Sequence, residues 1–507
     1  MGRDHRDIEM DWLDVRGFVE WSTNEVTQAT VGQTRFWEYK EAVNTILIEA
    51  TMGGVVFGLI MGTLLMIIWI ERKLIARLMD RRGAMTSMRS LWAGESGLDA
   101  GEWWRKIPYG IGGIIGRVIR LLQRIVGNAS KKPTVDRVND RSYLGWPLLP
   151  GMFQNVADGV KLLQKEWMVP KNADRMMFEA APIIIISSTV VILGLIPLGP
   201  GIYGPDLQYG VLFAMAVFGV APLGIFFAAW ASNNKYALIG GIRSAAQLTA
   251  YEIPLLLVVL SVCIVSGSFN FREIVQDQID AHTWNVFIMP VGFLLFITAM
   301  VAEVERTPFD MPEAEAELVE GWWTEYGGLR WGLLFAVEYL RTYAACILTA
   351  LFFLGGWQAP FAGLVAATPG IGDLLASIYG LIPGVAWVLI KAWFVFTLFV
   401  WVRAALPRVR TDQILEFGWR WLLPLSVLNV LIAGVMRLFL HDPSADGWFT
   451  WNIIPTLLLG SIPFMVLIAY TSEEGEDAAR PEPVLVTDLS REALAAQAKH
   501  LGETDTA

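Results

Sequence analysis

Apolar residues in this chain gather into runs of about twenty, separated by short polar stretches. The runs fall at 45–70, about 180–198, 208–230, 247–267, 284–302, 331–354, 383–402, 417–440 and 451–470. Each is near the ~20 residues that a helix needs to cross a bilayer. A lone strand in lipid leaves its N–H groups unpaired, so the runs are expected as helices. The expected fold is an all-α polytopic membrane protein with about nine transmembrane helices. Pro222 and Pro254 lie inside runs and predict kinks rather than breaks. Two further stretches carry helical periodicity with one polar face. Ile111, Ile114, Ile115, Val118, Leu122 and Ile125 form a stripe opposite Arg117, Arg120 and Arg124. That is the pattern of a basic helix lying on a membrane surface. The second, 153–167, reads F-Q-N-V-A-D-G-V-K-L-L-Q-K-E-W. Both are expected on the cytoplasmic face.

One polar stretch is unlike the others. Residues 303–326 read E-V-E-R-T-P-F-D-M-P-E-A-E-A-E-L-V-E-G-W-W-T-E-Y and hold eight carboxylates against one base, Arg306. At ~2.5–3.5 kcal/mol for each acid at mid-bilayer, lipid burial would cost on the order of 20 kcal/mol. The segment must sit in water or in a wet cavity enclosed by protein. Asp310-x-x-Glu313 has capping-box spacing, with Asp in place of Ser or Thr. Pro312 would then fall in the first turn of a helix, where its missing N–H costs least. Such a helix puts Glu313, Glu317 and Glu320 on one face and Glu315 elsewhere. Carboxylates packed together and removed from water ionise reluctantly, and groups of that kind can pass protons.

Composition agrees with a membrane chain. Of 507 residues 54% are hydrophobic and 17% charged, with a mean hydropathy of +0.46. The net charge of −10 matters less than where the bases fall. The stretch after the first run holds about half of the 39 Lys and Arg, further bases flank 235–243 and 403–410, and the stretches 200–207 and 355–382 have none. Bases favour the cytoplasmic side, so the N-terminus is expected outside and the acidic segment inside. The tail from Thr471 is then inside too; it is acidic, poor in bulky apolar residues and expected to be disordered. No typical signal peptide is expected, because the first apolar run begins too late and is too long. Cys263 and Cys346 both lie in apolar runs, and the four His are scattered without ligand spacing. Two thiols cannot supply the four of an ordinary iron–sulfur cluster. No metal or redox centre held by this chain alone is expected. Lys391, inside the seventh run, needs a buried partner, and Glu338 is a candidate.

The organisation expected is an N-terminal extension over 1–41, a first membrane helix over 42–73 and a basic insertion over 74–152. A core bundle over 153–440 carries the acidic loop 303–326. An extra membrane helix over 441–470 and an acidic tail over 471–507 follow.

The acidic segment closely resembles the quinone-tunnel subunit of respiratory complex I, the NADH-quinone oxidoreductase. That family's motif reads A-E-x-N-R-x-P-F-D-L-P-E-A-E-S-E-L-V-x-G-Y-x-T-E-Y, against A-E-V-E-R-T-P-F-D-M-P-E-A-E-A-E-L-V-E-G-W-W-T-E-Y here. Other blocks agree: E-R-K at 71–73, A-D-G-V-K-L-L at 157–163, W-A-S-N-N-K-Y-A-L-I-G-G-I-R-S-A-A-Q at 230–247, Tyr251-Glu252, and W-V-R-A-A-L-P-R-V-R-T-D-Q at 401–413. The resemblance covers 42–73 and about 145–440. Two features depart from it. Arg82-Gly83-Ala84-Met85 stands where the family has R-x-G-P-N-R-V-G-P, followed by about sixty extra residues. Glu305 stands where the family has Asn.

The resemblance implies a membrane subunit of a proton-pumping enzyme, lining a quinone tunnel and a carboxylate path. Quinone would be the substrate, with no iron–sulfur cluster, flavin or metal on this chain. Partners would be the peripheral subunits carrying the quinone site and terminal cluster, neighbouring membrane subunits and lipid, with no nucleic acid. The setting would be a bacterial inner membrane, with a periplasmic N-terminus and a cytoplasmic C-terminus. By motif position, Glu252, Glu303, Glu313, Glu315, Glu317 and Glu325 would form the proton path, and Arg72, Arg306 and Asp310 would line the tunnel. Glu305 and Glu320 fall at variable positions and are expected to be solvated. The plainer readings are an ion pair between Glu252 and Arg243, and simple anchoring for Arg72. The related membrane subunit of proton-translocating hydrogenases diverges after P-F-D. A secondary transporter would show internal repeats, and none is visible.

Overall fold

The computed structural model describes residues 40–81, 153–312, 314–360, 382–439, 459–463 and 465. Its long helices are α1 Lys40–Leu78, α3 Arg175–Leu195, α6 Lys235–Ser266, α11 Gly328–Phe353, α12 Gly384–Ala405 and α14 Leu423–Phe439. Between them lie α2 Phe153–Leu163, α4 Gly210–Phe218, α5 Ala221–Ala231, α7 Phe271–Asp280, α8 Asn285–Ile288, α9 Pro290–Glu303, α10 Glu315–Leu318 and α13 Thr411–Glu416. The protein is an all-α polytopic membrane protein, and seven described helical stretches are long and apolar enough to cross a membrane. The basic stretch 111–125 and most of the expected ninth span at 451–470 lie outside the described residues. The chain divides into two units, Met1–Gly460 and Ser461–Ala507. Of the second, residues 461–463 and 465 are described and are helical.

Prolines act differently at different sites. Pro254 is carried inside the unbroken α6. Near Pro222 the chain keeps right-handed helical angles through Gly219 and Val220, so α4 and α5 form one span joined at a two-residue turn. The run at 284–302 is different. Met289 leaves the helical region (φ −129°, ψ 70°), and Pro290, which has no N–H to give, restarts the helix as α9. The expected full span becomes a 14-residue helix about 21 Å long, well short of a ~30 Å hydrocarbon core.

α6 is the central post, packed against α5, α9 and α14, while α11 packs against α1, α3 and α12. The acidic segment folds back onto this bundle rather than leaving it. Gln247 of α6 holds it through one amide, whose Nε2 donates to Ala302 O at 2.9 Å and Phe309 O at 2.8 Å. Further along, Tyr326 stacks on Phe178 of α3 at 4.1 Å and donates its hydroxyl to the Phe178 carbonyl. Gly240 makes close approach possible, since a Cβ there would stand 2.9 Å from Trp322 N.

The helix expected to start at Asp310 does not form. The Asp310 carboxylate accepts from Arg408 at 2.8 Å instead of capping, and helix begins only at Glu315 for a single turn. That turn ends at Val319, whose φ is +67°.

Candidate functional site: a buried charge network at the acidic end of the bundle

Arg306 leaves the acidic segment and enters the space between α1 and α11. Its Nη1 donates to Glu71 Oε1 at 3.1 Å, and its Nε lies 3.0 Å from Glu338 Oε1. The guanidinium also sits 4.2 Å from the centre of the Tyr339 ring. Arg403 of α12 donates to the same Glu71 oxygen. Glu71 and Arg306 are 3% and 7% exposed, so this central pair is largely removed from water, with Glu338 partly buried and Arg403 half-exposed at its rim. Burial works against the charge on Arg306, and Glu338 and Glu71 outweigh it, holding the guanidinium firmly protonated. A balanced, hydrogen-bonded set of this kind tolerates burial, whereas removing one member strands a charge.

A second group lies deeper along α11. Arg341 faces Glu303, the last residue of α9, at 3.5 Å, and both are buried. The contact is electrostatic: both Glu303 carboxylate oxygens and the Nε and Nη2 of Arg341 lack hydrogen-bond partners. Glu252 of α6 comes close enough to Glu303 for the two carboxylates to repel. Gly219 makes room for it, since a Cβ there would stand 2.3 Å from Glu252 Oε1. Arg243 pairs with Glu317 at 2.6 Å, so the plainer alternative of a Glu252–Arg243 ion pair is not what the structure has.

Glu305 lies between the two groups. Expected in solvent, it is instead 7% exposed and accepts a hydrogen bond from Ser244 Oγ. Its backbone takes a left-handed turn (φ +54°) that carries the side chain inward. Burial pushes its carboxyl up to about 7, with Ser244 and Arg341 opposing. Burial likewise raises Asp310, against the pull of Arg408.

Residues 141–434 match the family model described as NADH dehydrogenase. An NADH-quinone oxidoreductase subunit of Anoxybacillus flavithermus is 43% identical over 288 residues, 57% of this chain and 81% of that protein. Its counterpart in Bacillus thuringiensis, of the same name, is 40% identical over 287 residues, with the same coverage. The chain belongs to the NADH dehydrogenase family. It is a multi-pass membrane member of it. The matched stretch holds every residue of the two charge groups except Glu71, which α1 brings in from outside it.

The residues singled out from sequence part into several environments. Arg306, Glu303 and Glu252 join the buried groups, and Asp310 sits at their edge with Arg408. Arg72 belongs to neither group and ties α1 to α2 through Asp158 at 2.6 Å. Burial would lift Asp158, but Arg72 and Gln154 outweigh it and leave the acid below its usual range. Glu317 and Glu320 are exposed. Glu325 accepts from Asn234 at 2.7 Å and lines an open concavity of about 500 Å³. Glu313 and the side chain of Glu315 lie outside the described residues.

Lys391 does not meet Glu338. Its Nζ donates to the carbonyls of Leu354 (2.6 Å), Gly356 (2.8 Å) and Gln358 (2.6 Å) at the far end of α11, while Glu338 serves Arg306 nearer the other end. Glu71, Ser244, Arg341 and Arg403 also belong to the site, although the sequence pattern does not single them out. Glu338 and Arg341 do carry a usable signal, because two ionisable residues one turn apart within a span mark a functional site by default. Glu71 stands in the E-R-K block, next to the arginine that draws attention.

Proposed function

We propose that this chain is the quinone-tunnel subunit of a proton-pumping NADH-quinone oxidoreductase and carries the carboxylate path that links quinone chemistry to proton movement. The observation that carries the reading is the run of buried acids and bases from Asp310 through Arg306, Glu71 and Glu338 to Glu305, Arg341, Glu303 and Glu252. Reducing a quinone to quinol consumes two electrons and two protons, so charge changes abruptly at its head. Acids whose ionisation is balanced by neighbours respond to such a change by taking up or releasing protons.

In this reading quinone is the substrate, and the redox groups belong to partner subunits docked on the acidic face. Glu252, Glu303, Glu313, Glu315, Glu317 and Glu325 serve as the proton path, and Arg72, Arg306 and Asp310 line the tunnel. The exposed Glu317 and Glu325 then belong to the face that partner subunits cover. The distribution of Lys and Arg supports a cytoplasmic acidic face and a periplasmic N-terminus, and the bacterial relatives support a bacterial inner membrane.

The test is inhibitor-sensitive quinone reduction and proton pumping in membranes carrying Glu303→Gln or Glu338→Gln, with assembly followed on native gels. Each variant removes a titrating group while keeping its shape. A loss of about 10²-fold or more in an assembled complex is expected for a group that handles protons in the reaction. Wild-type reduction and pumping in both variants would overturn the reading.

A further inference from the structure

A small cavity opens beside Glu305, with Glu338, Arg341 and Trp322 in its wall. About 20 Å³ of it is open to the centre of a water molecule, room for one water. A buried water also needs about two to four polar partners, and this wall supplies them in an unusual way. The indole Nε1 of Trp322 and the Nε and Nη2 of Arg341 are buried donors without acceptors. Glu305 and Glu338 are the acids among the residues that line the same space. Buried donors are costly to leave unmet, so a site that gathers them beside acceptors favours a bound water.

We propose that Glu305 is an additional proton-holding group of the network, joined to Glu338 by a single water bound in this cavity. The inference rests on the carboxylate-path reading and adds to it a member at a position where the family has Asn. In the transfer, protonated Glu305 gives its proton to the water while the water gives one of its own to the Glu338 carboxylate. One acid and one carboxylate exchange states, and the water is returned unchanged. A proton arriving on Glu338 loosens its pairing with Arg306, which Glu71 still holds. The exchange thus connects the Glu303–Arg341 group to the Arg306 group.

The groups that set the proton on Glu305 come from every side. Ser244 faces it from α6, Arg341 and Glu338 from α11, Glu303 from α9 and Asp310 from its own segment. Burial outweighs the two favourable partners, so the carboxyl titrates near 7, where a proton can be both held and released.

The experiment is infrared difference spectroscopy of the purified complex on pH steps, reading the carbonyl band of protonated carboxyl groups. Wild type is expected to show a buried carboxyl titrating near neutrality, and Glu305→Gln to lack it. Glu305→Asn serves the same purpose if the glutamine variant assembles poorly. Trp322→Phe keeps every carboxyl but removes one donor to the water, and is expected to move the titration upward. An unchanged carboxyl signal in the Glu305 variants, or an unmoved titration in Trp322→Phe, overturns the proposal. The readout does not need turnover. Failure of the wider carboxylate path would appear separately, as normal activity in Glu303→Gln and Glu338→Gln.

Discussion

Glu71 is the acid that two bases of the site share. It accepts from both Arg306 and Arg403 while only 3% exposed. Glu71→Ala leaves two guanidiniums facing each other without their shared acid, and breaking a buried pair from one side costs about 3–5 kcal/mol. The expected result is a marked drop in assembled complex on native gels and in its melting temperature, with Glu71→Gln falling between. Glu305 gives a prediction in pH. Its carboxyl rises from 4.5 to about 7 in the folded chain. Between those values the folded state keeps a proton that the unfolded state has released, so stability falls as pH rises through the window and levels off above it. The loss is on the order of 3 kcal/mol. Melting temperatures at pH 5 and pH 8 should therefore differ more for wild type than for Glu305→Gln. Equal differences would show that Glu305 is not buried as described.

Among the elements, the long apolar runs are legible in the sequence because length and composition alone require them to be helices in lipid. The features that are not legible are set by contacts between distant residues. Asp310 has the local signs of a helix cap, but Arg408, ninety-eight positions along, takes its carboxylate. Glu305 has the local signs of a solvated acid, since nothing nearby in sequence reports the left-handed turn and the α6 serine that draw it inward. Lys391 and Glu338 lie on helices that do touch, but at different depths, and depth is invisible to a pattern of apolar residues. Pro290 does carry a warning: a residue without an N–H inside an apolar run allows the break that shortens α9. The seat of the acidic segment on α6 also depends on a missing side chain. Gly240→Ala would press a methyl group on the backbone of Gly321 and Trp322. It is expected to cost about 1–3 kcal/mol as overpacking. Gly62→Ala on α1 meets nothing within 4 Å and is expected to leave the melting temperature unchanged or slightly raised. Equal effects of the two would show that the segment does not rest on α6 as described.

At the largest scale, the first unit is a helical bundle with its buried charges gathered toward one end. The charge groups draw on α1, α6, α9, α11 and α12, so no pair of helices contains the site, and its integrity reports on the entire first unit. The shortness of α9 has an electrical consequence. Its 14 residues bring Glu303 level with Arg341, about 20 Å along α11 from that helix's start at Gly328. The apolar helix beyond Glu303 is then only ~21 Å long, against a hydrocarbon thickness of ~30 Å. A transmembrane voltage falls mostly across the insulator that remains. In the reading proposed above, a proton resting on Glu303 would have most of that voltage still ahead of it, up to ~2.3 kcal/mol per 100 mV. A membrane voltage would then act on the step past Glu303 rather than on the approach to it.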